Sequence, residues 1–319
     1  MERIELSVSP EEVGLRLDSY ISSKVGSLTR SRVKKLIDEG FVEVNGCAMK
    51  ASHHISAGEV VVISVPEPVE PEAKPQAIEL DIIHEDSDII VVNKSVDMVV
   101  HPAAGHPDGT LVNALLAHCD DLSGIGGELK AGIVHRLDMG TSGVIIAAKN
   151  DKAHQSLADQ FKNRTVEKIY CALIIGSMSE DAGVYDKAIG RCVKDRKKIS
   201  SHTNSGRDAK TEWHVQERFG KSLSWVEIVL HTGRTHQIRV HFSEAGYPLV
   251  GDPIYGGDKK LKRIVDKGFR DIAAKLDRPA LHSWKLSIDH PGSGDRMKFE
   301  APLPADLTSL LDELRNFSL

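Results

Sequence analysis

The sequence predicts an α+β chain: a small N-terminal domain, then a larger domain built on a mixed, largely antiparallel central sheet. Three observations carry that prediction. Strand-like runs are interleaved with only a few helical stretches. Those helices do not alternate with strands, as a doubly wound parallel sheet would require. Prolines alternating with acidic residues interrupt the chain at 66–76, a composition that favours an extended linker over helix or inner strand. The expected domains are therefore residues 1–65 and 77–319, in keeping with the length of 319 residues.

Before the linker, Thr29 is placed to N-cap a short helix whose apolar residues Val33, Leu36 and Ile37 follow i, i+3, i+4 spacing, with Gly40 ending it. Phe41 to Val44 alternates as a strand, Asn45-Gly46 is a two-residue hairpin turn, and Val60 to Val65 reads as a further strand. The polar side of the helix carries Arg30, Lys34 and Lys35. After the linker, Asp88 to Val92, Val144 to Ala148, Ile169 to Ile175 and Trp225 to Leu230 read as strands. Leu111 to His118 and Ala153 to Phe161 read as helices, the latter capped by Asp151.

Residues 132–144, GIVHRLDMGTSGV, hold the densest signal. An apolar strand, Ile133-Val134, is expected to enter the polar knot His135-Arg136-Leu137-Asp138. Gly140 and Gly143 then let backbone or ligand approach closely. The net charge is −5, so nucleic-acid binding requires local basic surfaces such as Arg30 to Lys35 and Arg191 to Lys198. No apolar run reaches membrane length, MERIELSVSP lacks a signal core, and four scattered cysteines suit reduced thiols, so a cytoplasmic location is expected.

The HRLD…TSG string resembles the catalytic motif of the RluA-type pseudouridine synthases. The resemblance extends to Val166–Ala172 (VEKIYCA), Leu230–His241 (LHTGRTHQIRVH) and Gly251–Gly256 (GDPIYG). It implies the pseudouridine synthase fold, with Asp138 as the residue the chemistry cannot lose, Tyr170 packed against the target uracil and Arg239 paired with the aspartate. Arg136 would occupy the space a flipped base vacates. Residues 15–65 are similar to an S4 RNA-binding domain, which implies that Arg30, Lys34 and Lys35 face an RNA backbone. Arg196, Lys197 and Lys198 are expected to add backbone contacts, and Arg234 a further RNA contact. One departure stands out. The family pattern NKPxGxxVHP here reads Asn93-Lys94-Ser95-Val96-Asp97-Met98-Val99-Val100-His101-Pro102, which lacks the glycine.

Isomerising uridine breaks the N1–C1′ bond, turns the base over and rejoins it through C5. Nothing is oxidised and no group is donated, so no cofactor and no metal are expected. The reaction requires an ionised nucleophile, which a guanidinium beside it favours, and an aromatic wall against which the freed base turns. A tyrosine hydroxyl near C5 is also a candidate for proton transfer. Because flipping is cheapest in loops and bulges, the expected partner is a structured RNA with unpaired uridines, 23S ribosomal RNA or its large-subunit precursor, met by a monomer. Another stem-loop RNA such as a tRNA, or a non-catalytic assembly factor, are the alternatives. His231, His236 and His241 have a spacing that does not place them on one helical face, and no HExxH, dinucleotide or P-loop signature is complete. A glycosidase would need a second carboxylate, and none is evident in the motif.

Overall fold

A computed structural model describes residues 2–25, 28, 30–65, 73–102, 105–119, 132–193, 195 and 198–318. The chain divides into two units, Met1–Pro71 and Glu72–Leu319. The first contains β1 (Glu2–Ser7), α1 (Leu17–Lys24), α2 (Arg30–Asp38), β2 (Val42–Val44), β3 (Cys47–Ala48) and β4 (Val60–Val65), its sheet ordered β1-β4-β2-β3. Asn45 and Gly46 both take positive φ, 50° and 77°, as a two-residue hairpin turn needs, and so set Val44 opposite Cys47. Val33, Leu36 and Ile37 of α2 are buried against Leu17, Tyr20 and Ile21 of α1 and Ile63 of β4. Thr29, the expected cap of α2, lies outside the described residues.

The second unit contains β5 (Ile82–Glu85), β6 (Ile89–Lys94), α3 (Leu111–His118), β7 (Ser142–Ala148), α4 (Asp151–Asn163), β8 (Glu167–Ile175), β9 (Ala182–Asp186), β10 (Gly190–Arg191) and β11 (Ile199–Ser200). It continues with β12 (Lys210–Phe219), β13 (Leu223–Leu230), α5 (Gln237–Glu244), α6 (Gly257–Leu261), α7 (Lys267–Ala273), β14 (Leu281–Asp289), β15 (Arg296–Glu300) and α8 (Ala305–Ser318). Its main sheet runs β5-β6-β7-β14-β8-β13-β12-β9, with β15 also paired to β14. Among the described residues, only β7 and β14 pair parallel within it, so the sheet is mixed and largely antiparallel.

Period-2 alternation along β8 sends successive side chains into different cores. Tyr170, Ala172 and Ile174 join Leu111 of α3 with Ile238 and Phe242 of α5. Cys171, Leu173 and Ile175 join Phe269 of α7 with Leu307, Leu310 and Leu314 of α8. The sheet is thus covered on both faces, and Tyr170 is delivered to the face that carries α5. Among the described residues, no helix is long and apolar enough to cross a membrane.

Two local expectations change. Ile133-Val134 is no strand: Ile133 makes one isolated bridge to Ala147, because two residues are too short to sustain a ladder beside β7. The cap of α4 is Asn150, whose side chain accepts the Ala153 N–H at 2.9 Å, while Asp151 is the first helical residue. Asp97 stands where the family pattern has glycine and takes φ 65°, a left-handed conformation that aspartate tolerates.

The parallel pair β7–β14 is closed by Gly143, at φ 109°, where a Cβ would sit 2.1 Å from the Ser283 carbonyl oxygen. Any side chain there must push the two strands apart. Gly143→Ala is expected to lower unfolding free energy by about 3 kcal/mol or more, combining strain and overpacking. Denaturant unfolding monitored by tryptophan fluorescence reads this, and an unchanged midpoint would show that the strands yield freely.

Candidate active site

Asp138 ends the polar knot and opens a turn, its carbonyl accepting the Thr141 N–H at 3.0 Å just before β7 begins. Two buried cations from distant parts of the chain hold that turn. Lys94, at the end of β6, donates to the carbonyls of Ser95 (2.7 Å), Met98 (2.9 Å) and Met139 (3.3 Å). Arg278 donates to the Gly140 carbonyl at 3.2 Å while its Nε and Nη2 fork onto Asp306. Burial pushes the Lys94 ammonium down to about 8, opposed by the charge of Asp138 and reinforced by that of Arg278.

Arg239 projects from α5, its side chain only 6% exposed. Nε and Nη2 grip the two oxygens of Asp252 at 2.7 and 3.0 Å, and Nη1 donates to Asp138 Oδ2 at 3.1 Å. The two-bond fork therefore belongs to Asp252, and Asp138 receives the remaining nitrogen. Asp252 is fully buried and also accepts the N–H groups of Ile254 and Tyr255, each at 3.0 Å. The Tyr255 ring lies 5.1 Å from the Arg239 guanidinium carbon, within cation–π range.

His236 sits at φ 56° before α5, with Nε2 3.8 Å from Asp138 Oδ2 and Nδ1 2.7 Å from the Tyr255 hydroxyl. That hydroxyl accepts the Ile199 N–H at 3.1 Å, which ties His236 through Tyr255 to β11. Burial lowers the His236 pKa against the pull of Asp138, so the ring is neutral near pH 7.

Asp138, His236 and Arg239 border a cavity of about 650 Å³. Tyr170 forms part of its wall, and burial, helped by the charge of Asp138 and opposed by the Ser283 hydroxyl, pushes the phenol up to about 12. His135 stacks on Phe161 at 4.7 Å and accepts the Ile146 N–H at 3.1 Å. Burial pushes it down to about 3, so it serves as a neutral hydrogen-bond acceptor in the wall. Of the other histidines, His231 bonds Glu212, and His241 is held by Thr211 and the Lys187 carbonyl; the three do not converge.

The profile of the RNA pseudouridylate synthase family matches residues 88–244, and that of the S4 domain matches residues 15–61. The RNA pseudouridine synthase YlyB of Bacillus subtilis is 44% identical over 315 residues, covering 99% of each chain. The chain belongs to the RluA-type RNA pseudouridine synthases. The ribosomal large subunit pseudouridine synthase D of Pseudomonas aeruginosa is 40% identical over 95% of this chain and 92% of its own. The solved structure of human RNA pseudouridylate synthase domain containing 1 matches with TM-score 0.57 and 26% identity, over 79% of this chain and 97% of that one.

Within this synthase, Asp138, Tyr170, Arg239, Arg136 and Arg234 all border the one cavity. Arg136 is exposed there, and Arg234 donates Nε to the Asp208 carbonyl at 3.2 Å. Arg191 and Lys198 stand on the two limbs of the β10–β11 hairpin, while Arg196 and Lys197 lie outside the described residues. In the S4 unit Lys34 is exposed, Arg30 bonds Asp18 at 3.0 Å, and the Lys35 side chain lies outside what is described. Asp252, His236, Tyr255, Lys94 and Arg278 were given no role in the sequence. The signal for Asp252 was its place in GDPIYG, and that for Lys94 its place in the NK pattern.

Asp252→Asn removes one of two counter-charges from a buried guanidinium and sets an amide N–H among donors. Unfolding free energy should fall by about 3–5 kcal/mol. Equilibrium denaturation measures it, and wild-type stability would show that the fork does not hold α5 to the Gly251–Gly256 loop.

Proposed function

We propose that this RNA pseudouridine synthase acts on flipped-out uridines of large-subunit (23S) ribosomal RNA, with Asp138 as its nucleophile. One observation carries the chemical part: among the described residues that border the cavity Asp138 is the only carboxylate, and Arg239 Nη1 holds it there. The substrate part is supported by the large-subunit synthases D of Pseudomonas aeruginosa and Neisseria meningitidis, which are 40% and 42% identical to this chain over nearly its whole length.

Asp138 attacks the uridine at C1′ or at C6, the N1–C1′ bond breaks, and the uracil turns to present C5. The C5–C1′ bond then forms, the C5 proton leaves, N1 gains a proton, and the carboxylate is released unchanged. Tyr170 supplies the flat wall against which the base turns. Because its phenol is held neutral, it takes part in proton movement only by passing its own proton on as it accepts another. Arg136 enters the space left in the helix stack, offsetting an unstacking cost of a few kcal/mol that is least for unpaired uridines. The S4 unit adds backbone affinity through Lys34 and its neighbours.

Asp138→Asn keeps the shape and removes the nucleophile. Tritium release from RNA labelled at uracil C5 should fall by roughly three orders of magnitude or more, while RNA affinity persists. Turnover at the wild-type rate would remove Asp138 from the chemistry. Mapping pseudouridines in total RNA from cells with and without the gene tests the substrate: sites in large-subunit RNA should disappear. Loss confined to tRNA would overturn the ribosomal assignment and leave the reaction standing.

A further inference from the structure

Several arginines of the catalytic unit are paired, whereas a group of cations at the cavity is not. Arg218, Arg239, Arg270, Arg278, Arg296 and Arg315 each hold a carboxylate. Among the described residues, Arg136, Lys162, Arg164, Lys168 and Arg207 hold none, and all five border the cavity. The chain carries more acidic than basic residues, so this is no shortage of carboxylates. The unpaired cations also feel one another. Arg164 depresses the proton affinity of Lys168, and Arg207 and Arg164 depress that of Arg234.

Lys168 is the most demanding of them. It is 8% exposed, its Nζ lies 5.8 Å from the Phe161 ring centroid, and no oxygen accepts a hydrogen bond from it among the described residues. Burial, then Arg164, pushes it down to about 8. The ammonium opens on the cavity with no acceptor among the described residues, so a ligand that supplies one there gains a charge-assisted hydrogen bond. Lys168 and Tyr170 lie two residues apart on β8 and project from the same face, so that acceptor arrives beside a base stacked on Tyr170. A neutral uracil carbonyl would satisfy one N–H and leave the repulsion with Arg164 in place. An anionic oxygen relieves both.

We propose that Lys168, with Arg164 beside it, forms a seat for the phosphodiester adjoining the flipped uridine. The inference rests on Tyr170 receiving the target base. It assigns two residues without a role so far to fixing the register of the RNA strand in the cavity, with Lys168 as the direct ligand.

The test uses stem-loop RNAs carrying one uncharged methylphosphonate linkage, placed in turn on either side of the target uridine. Affinities are measured for the full-length wild-type protein and for Lys168→Gln. At one of the two positions the neutral linkage should weaken wild-type binding by on the order of tenfold, the scale of one charge-assisted hydrogen bond. Lys168→Gln should bind the all-phosphate RNA correspondingly weakly and lose nothing further on the neutral linkage, and Lys168→Arg should regain the sensitivity. Equal losses in wild type and Lys168→Gln at both positions would overturn the seat. Arg164→Asn provides a second cycle if Lys168→Gln folds poorly, since its left-handed position (φ 62°) suits asparagine. Full additivity there would likewise count against the seat. Pseudouridine formation is scored in parallel on the unmodified RNA. Its absence in wild type would sink the catalytic reading, whereas the binding cycle reports on the phosphate seat alone.

Discussion

The site depends on one buried guanidinium shared between two carboxylates. A planar fork suits a carboxylate in a way an ammonium cannot, and Arg239 commits its fork to Asp252, which is inaccessible to solvent. That leaves Nη1 pointing in one direction, at Asp138. Asp252 is itself fixed by two backbone N–H groups, so the chain of bonds runs from the Gly251–Gly256 loop through α5 to the turn before β7. A helix and a loop 13 residues apart, and a turn 101 residues from the helix arginine, are thereby registered to one oxygen atom. Desolvating such a triad is costly, and its retention fits a role in geometry more readily than one in stability.

The turn bearing Asp138 is framed from its other side by Lys94 and Arg278, which bind main-chain carbonyls and leave the carboxylate to Arg239. Main-chain anchoring fixes the position of Asp138 without occupying its side-chain oxygens. His236 adds an imidazole whose Nε2 lies 3.8 Å from Asp138, held by Tyr255 and, through it, by the backbone of β11. Around this core the cavity lining is strongly cationic although the whole chain is acidic, so the field that attracts a polyanion is local.

Much of this was legible where the determinants are local. The helix Leu111–His118 and the strand Val60–Val65 have the bounds that periodicity and turn chemistry predict. The HRLD…TSG string pointed to Asp138 because its pattern is contiguous. What escaped was set by distance or by near-degenerate chemistry. Whether Arg239 forks onto Asp138 or Asp252 depends on packing between a helix and a loop, which no window of sequence contains. Asn150 and Asp151 are both good caps, and one residue of phase decided between them. Arg30 reads as a free basic residue until the fold brings Asp18 beside it.

The most direct test of the central interaction is a double-mutant cycle on Arg239→Lys and Asp252→Asn, read as the single-turnover rate of pseudouridine formation. It is run at saturating protein and at a temperature where circular dichroism shows all four forms folded. If Asp252 acts on the chemistry by aiming Arg239, each single variant slows the reaction and the double variant is scarcely slower than the worse single, a coupling of about 1–3 kcal/mol. Rates that multiply independently, or a wild-type rate in Asp252→Asn, would contradict the account and reduce the fork to a structural ion pair.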